Sequence, residues 1–551
     1  MTNLTSEQFR DVIKNSENCT EKILSVHQLL QKAVVTFYNR FGGYPELAGV
    51  APGKIGIFGE QTQFNNGLAW LIPTTMATVI VGREAPGRHF AVVTTGDVGK
   101  PHKIKFSFSQ NRPLLPGCPI WLNYIKGVID NYCDANEWTV PPFEAVIESN
   151  IPMGVGFGSA SALETAMYSF LEVFSGKKND LINKAKACQE VEKNFLFKDV
   201  GLIDRITSIF AKDRHALITN SDGEELQWIP VKNSEYVFIA IELHEKDYVF
   251  DNEYKERSKH IEKACKILGV KSLKECNEEH LIELQNKVQG ILERRANKEE
   301  NNIEDDEENK KDNQEEYDKD KSETLLKGDR GDDDNWTEEE FNIMMKRAKF
   351  FVTEMIRIKE ALEAWNSGDF ETYGMLMNQS HSSLKEYFEL TNPFLDFLVN
   401  TSLEVDGVLG SKMTGMGLGY GGGIISLIRK KNIENYCRYV TQRFLDNEDE
   451  IKALTKEHRE NELKKKNEIQ NKMQSEEYDP DKNLDDKYKK NISGGENESV
   501  MENPCAVKTK KICAIKMTKP PDTCEFWPVN YVKKKKFSRQ YSIGKGEEEY
   551  E

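Results

Sequence analysis

A chain of 551 residues is long enough for two core-forming domains, yet only 38% of it is hydrophobic and 30% is charged, so part of its length lies outside any core. The formal net charge of -16 repels phosphate backbones and excludes general nucleic-acid binding. No apolar run reaches membrane-spanning length, and the ten scattered cysteines have neither a CxxC pair nor zinc-finger spacing.

In chain order, apolar periodicity predicts a helix over 23–38, strands at 55–58, 77–81 and 90–93, and a helix over 120–129. A strand at 143–147, helices over 161–174 and 181–195, and strands at 216–218 and 237–241 follow. Helices over 261–267, 341–365 and 394–402 complete the series. The expected class is mixed α/β (α+β) in two domains, residues 1–225 and residues 226–296 with 337–450. No tandem repeat, dinucleotide fingerprint or Walker-type phosphate loop occurs.

The remainder is polar. Residues 297–336 have almost no apolar side chain and are expected to form a disordered acidic insertion, because such a stretch buries too little surface to offset its ordering entropy. Residues 451–505 read as a charged low-complexity insertion that could hold some helix near its start. Residues 506–551 read as a C-terminal tail able to return to the core. Its Lys533–Lys536 and Glu547–Glu549 runs are solvated charges on the simpler reading, and a protein partner for the charged pieces stays open. The start, Met1-Thr2-Asn3-Leu4, carries no basic-then-apolar leader, so a cytoplasmic address with reduced thiols is expected.

Three glycine-bearing segments stand out: Ala51 to Glu60 (APGKIGIFGE), Pro152 to Ala162 (PMGVGFGSASA) and Lys412 to Gly419 (KMTGMGLG). The middle one runs from an apolar strand through glycines into an apolar-periodic helix. Glycines let main-chain N–H groups turn inward, and a helix start offers unpaired donors and a positive dipole end. A phosphate cradle is built in this way.

In order and content the three segments resemble the galactokinase branch of the GHMP small-molecule kinases. Trp121 to Gly127 is similar to the family's WxNYxKG, Glu253 to Arg257 to its sugar-side tyrosine segment, and Gly374 to Leu384 to its GxLMxxSHxSL helix. The resemblance runs to about Asp446 and implies a two-domain kinase with its active site between the domains. It implies ATP and Mg²⁺ as cofactors and a monosaccharide substrate, with no nucleic acid or membrane partner.

Residue by residue, the resemblance makes Asp204 the base, with Lys54 beside it, and Ser159 and Glu192 the Mg²⁺ ligands. ATP falls to Trp121, Gly154, Gly156, Gly158, Ser159 and Ser161, and the sugar to Glu60, Gln61, Gln63, Tyr254 and Asp204. The residues agree with these roles: a sugar hydroxyl must lose a proton, hard oxygens suit Mg²⁺, and an Asp204 flanked by Leu202, Ile203 and Ile206 needs a cation nearby.

The chain departs from the pattern at Lys54, where the galactokinase branch has arginine, and at Gln61 and Gln63, which replace the histidine and aspartate of GEHTDYNGG. The phosphate loop reads GFGSAS in place of GLSSSA, with its length intact. Two classes follow: a sugar-1-kinase, for galactose or another sugar, and a sugar- and ATP-sensing protein that has lost catalysis. Retained Asp204, Glu192 and Ser159 favour the kinase.

Overall fold

The computed structural model describes residues 24–464 and 517–518, except for 86–89, 95–101, 107–113, 118, 154–155, 199, 232–234, 244–252, 309–335, 416–421, 459 and 462–463. The first half contains α1 (Val26–Phe41), β1 (Leu47–Phe58), β2 (Ala69–Glu84), β3 (Phe90–Thr94), β4 (His102–Phe106), α2 (Trp121–Asn136) and β5 (Phe143–Ser149). It continues with α3 (Ser159–Ser175), α4 (Leu181–Phe195), α5 (Ile203–Ile209), β6 (His215–Thr219) and β7 (Leu226–Pro230).

These seven strands form one sheet. The long β2 pairs with β1 along one edge and, on its other edge, with β5 at one end and β6 at the other. Among the described residues only β3 and β5 run parallel. α3 lies on β1 and β2, and the core around Ile125, Tyr132, Phe143, Phe157 and Phe170 closes the layer.

The second half contains β8 (Tyr236–Leu243), α6 (Glu253–Leu268), α7 (Glu278–Glu308), α8 (Glu338–Ser367), α9 (Phe370–Glu386), α10 (Pro393–Leu403), β9 (Val408–Thr414), β10 (Gly422–Arg429) and α11 (Ile433–Asp446). β8, β10 and β9 form an antiparallel sheet covered by α9 and α10. Met517–Thr518, here β11, adds to the free edge of β8 opposite Ile241 and Ala240. The halves share a core, because Phe58 and Trp70 of the first sheet meet Trp365 and Tyr373 of α8 and α9 edge to face.

Local signals set the helix ends. Capping boxes at Ser25/Gln28 and Thr337/Glu340 start α1 and α8, and Asn392 caps α10 ahead of Pro393. Gly158 and Gly176, both left-handed, bracket α3.

Three sequence expectations are corrected. The 225/226 domain division splits the β6–β7 hairpin, because the Asn220–Gly223 turn is a hairpin turn within the first sheet and not a linker. The acidic stretch is not disordered from 297 onward. α7 carries through to Glu308, since the chain continues a helix already anchored by Leu284 and Val288, and its Glu, Lys and Arg residues are good helix formers. At its other end Trp336 packs on His260 and Phe341. The second charged stretch also begins inside the fold: residues 448–458 are helical and Ile451 is buried beside α11. Strands β4, β7 and β9 and helices α5 and α7 have too few regularly spaced apolar residues to be read from pattern alone, whereas β10 (Ile424, Ile425, Leu427, Ile428) and α11 (Ile433, Tyr436, Val440, Phe444) carry an apolar pattern that the sequence reading passed over.

Candidate active site

β1 supplies the first wall. Its Lys54 backbone N–H donates to Phe157 O at 3.0 Å, which brings the strand against the loop leading into α3. The approach is close enough that a Cβ at Gly53 would strike Phe157 O, and one at Gly158 would crowd the Lys54 stem and the Ser161 hydroxyl. Gly156 and Gly158 have φ of 82° and 76°, a conformation glycine adopts without strain.

No side chain caps the α3 N-terminus, so its first amides are available to an anion. Ser159 is the first residue of that helix. Ser161 donates its hydroxyl to Gly158 O at 3.0 Å and braces the turn, which leaves its lone pairs for a ligand. Gly154 lies outside the described residues. Trp121, half-buried, opens α2 and packs on the first-half core.

α5 presents Asp204 in its first turn. Buried Ile203, Ile206 and Ile209 hold this short helix down, and Ser208 donates to Pro52 O at 2.8 Å. Asp204 Oδ1 lies 2.8 Å from Lys54 Nζ, with 37% of its side chain exposed against 9% for the lysine. The structure therefore brings together the residues expected as base and adjacent cation, with the carboxylate open to a ligand.

Glu192 comes from α4 and is almost buried. One of its oxygens accepts from Arg205, whose Nε also donates to Glu164 at 2.9 Å. Burial pushes the Glu164 carboxyl up to about 8, although Arg205 pulls it back. The phenol of Tyr124 is also pushed above its ordinary range, by burial and then by the charges of Glu192 and Glu164. Among the described residues no cluster of three or more His, Cys, Asp and Glu side chains is placed to hold a metal. One hydroxyl and one carboxylate suit Mg²⁺, which keeps waters and is commonly bound through one or two carboxylates plus substrate phosphates.

The turn after β1 is held by the second half. Gly59 N–H and the Ser380 hydroxyl both donate to Glu354 Oε1, at 3.0 and 2.8 Å, while Glu354 also pairs with Arg357. Thr414 donates to Gly56 O at 2.8 Å, and Lys412 Nζ lies 2.5 Å from Glu60 Oε2. The other Glu60 oxygen is buried with no hydrogen-bond partner. Gln61 is buried in a left-handed conformation with φ of 67°. The Gln63 carboxamide lies so close to Gly201 that a Cβ there would collide with it, which places Gln63 beside the segment leading to Asp204. Tyr254 falls on α6, and its side chain lies outside the described residues.

Sequence reasoning missed Glu164, Arg205, Glu354 and Lys412. A charge on a helix normally reads as a solvated face. The one available signal was Glu354 and Arg357 lying inside the apolar run Phe350, Phe351, Val352, Met355 and Ile358.

Residues 123–212 match the family described as GHMP kinases N terminal domain. The chain is 29% identical over 419 residues to the galactokinase of Bos taurus, covering 76% of this chain and 92% of that one. It is 28% identical over 421 residues to the galactokinase of Homo sapiens, covering 76% and 93%. The fold matches the crystal structure of Lactococcus lactis galactokinase complexed with galactose, with a TM-score of 0.59, 22% identity, and 76% and 95% coverage of the two chains. No helix among the described residues is long and apolar enough to cross a membrane.

Proposed function

We propose that the chain is a galactokinase-like member of the GHMP small-molecule kinases and that it transfers the terminal phosphoryl group of ATP to the anomeric hydroxyl of galactose. The observation that carries this reading is the Lys54–Asp204 pair, set against the phosphate loop at Gly158. In the step, the anomeric oxygen bonds to the terminal phosphorus as the bond from that phosphorus to ADP breaks. Asp204 takes the hydroxyl proton.

Lys54 holds this carboxylate in place beside the phosphate loop through their 2.8 Å contact. The uncapped amides after Gly158 hold phosphate oxygens, with Trp121 on the adenine side. Ser159 and Glu192 would hold Mg²⁺, which when bound neutralises triphosphate charge. The sugar lies with Glu60, Gln61, Gln63 and Tyr254. The two amides both donate and accept, so they recognise hydroxyls without a charged acceptor. A protein that only sensed sugar and ATP would have no use for a base held against a lysine.

A panel of monosaccharides with ATP and Mg²⁺, scored by ADP release, tests the proposal. Turnover with galactose is expected. Turnover with another sugar alone would reassign the substrate, and no turnover with any sugar would overturn the kinase reading.

A further inference from the structure

Arg205 is only 2% exposed, and its guanidinium is divided among three acceptors. Nε donates to Glu164 Oε2 at 2.9 Å, Nη2 to Glu192 Oε1, and Nη1 to Gly201 O at 3.0 Å. The second Glu164 oxygen, Oε1, is buried without a partner. Arg205 directly follows the base Asp204 in the chain, so a permanent positive charge stands there and is spent on the carboxylate assigned to the metal.

A carboxylate with one oxygen committed to a guanidinium can give a cation only its other oxygen, and the guanidinium repels that cation at short range. Resting on the kinase reading above, we propose that Arg205 is a positioning residue for the divalent-ion site. It holds Glu192 as a single-oxygen ligand and keeps the site weak until a nucleotide arrives with its own negative charge. Charge balance gives the reason. Without Arg205, Glu164 and Glu192 would face each other across a buried gap, an arrangement that a dication relieves. With Arg205 in place that attraction is already satisfied, and triphosphate oxygens must complete the ion's binding.

Mn²⁺, which is visible by electron paramagnetic resonance, probes this in the full-length protein without sugar, with and without ADP, against a control of ADP alone. The wild-type protein is expected to bind Mn²⁺ weakly by itself and much more tightly with ADP. A nucleotide-free site as tight as the ADP-loaded one overturns the proposal and needs no variant. Arg205→Gln is expected to tighten nucleotide-free Mn²⁺ binding by roughly tenfold, because a charge of the same sign is removed at close range. Arg205→Lys, which keeps the charge, stays near wild type. A merely structural arginine would instead lose metal affinity on either replacement, and unchanged or weaker binding in a folded Arg205→Gln protein refutes the positioning role. None of these readouts involves phosphoryl transfer. Failure of the sugar panel and failure of this proposal are therefore separable.

Discussion

Two lysine–carboxylate pairs, both built on β1 and the turn after it, differ mainly in their access to water. Lys54 and Asp204 are 2.8 Å apart, with more than a third of the aspartate exposed. Lys412 and Glu60 are 2.5 Å apart, with side-chain exposures of 0% and 5%. An open carboxylate can trade part of its contact with lysine for a contact with substrate. A sealed one is held by the cost of stranding its charge. The first pair joins elements of one half and suits chemistry. The second joins the two halves and fixes the geometry of the sugar-side turn.

Substitutions can break or sharpen this contrast. Asp204→Asn, which removes the open pair's base, is expected to lower kcat by ~10²–10⁴-fold while ATP binding and the melting temperature stay close to wild type. Turnover within a few-fold of wild type in steady-state ADP release would remove the base assignment. Lys412→Met strands Glu60 in the interior and is expected to cost about 3–5 kcal/mol in urea unfolding. A loss below about 1 kcal/mol, the range of solvated pairs, would show that the buried pair is not what joins the halves.

Gly201→Ala drives a methyl into the Gln63 carboxamide, the free end of a flexible side chain that must swing aside, with little expected cost in stability and a raised KM for sugar. An unchanged KM would separate Gln63 from the sugar. Lys54→Met leaves Asp204 solvated and is expected to cost about 1 kcal/mol or less in stability. A cost as large as that of Lys412→Met would erase the distinction between the pairs. Removing residues 309–335 is expected to change neither melting nor ADP release measurably, since that acidic stretch offers almost no apolar surface to a core. Gross unfolding would make the insertion part of the fold.

Most of the long periodic helices, and β1, β2, β3, β5 and β6 of the first sheet in at least part of their length, were legible in the chain. For α4 the expected range of 181–195 and the observed Leu181–Phe195 agree at both ends. Less visible were elements held by few apolar contacts of their own. α5 has seven residues and stays in place because Ser208 bonds Pro52 and its isoleucines are buried, a circumstance no window of sequence records. The 225/226 boundary failed for the related reason that a Gly-containing turn looks the same whether it ends a domain or closes a hairpin.

What the sequence by itself determined was local: the glycines that let β1 touch the α3 loop, the caps and apolar stripes of the helices, and the order of the three glycine segments. The glycine turns, caps and stripes depend on residues a few positions apart, whose conformational preferences act wherever the chain goes. The tertiary structure alone decided which charges are buried and with whom. Glu192 meets Arg205 across 13 residues and Glu60 meets Lys412 across 352, and before folding each of these carboxylates would be equally at home in water. Burial turns an ordinary charge into one that must be paired, and burial is a property of the packed chain rather than of any segment within it.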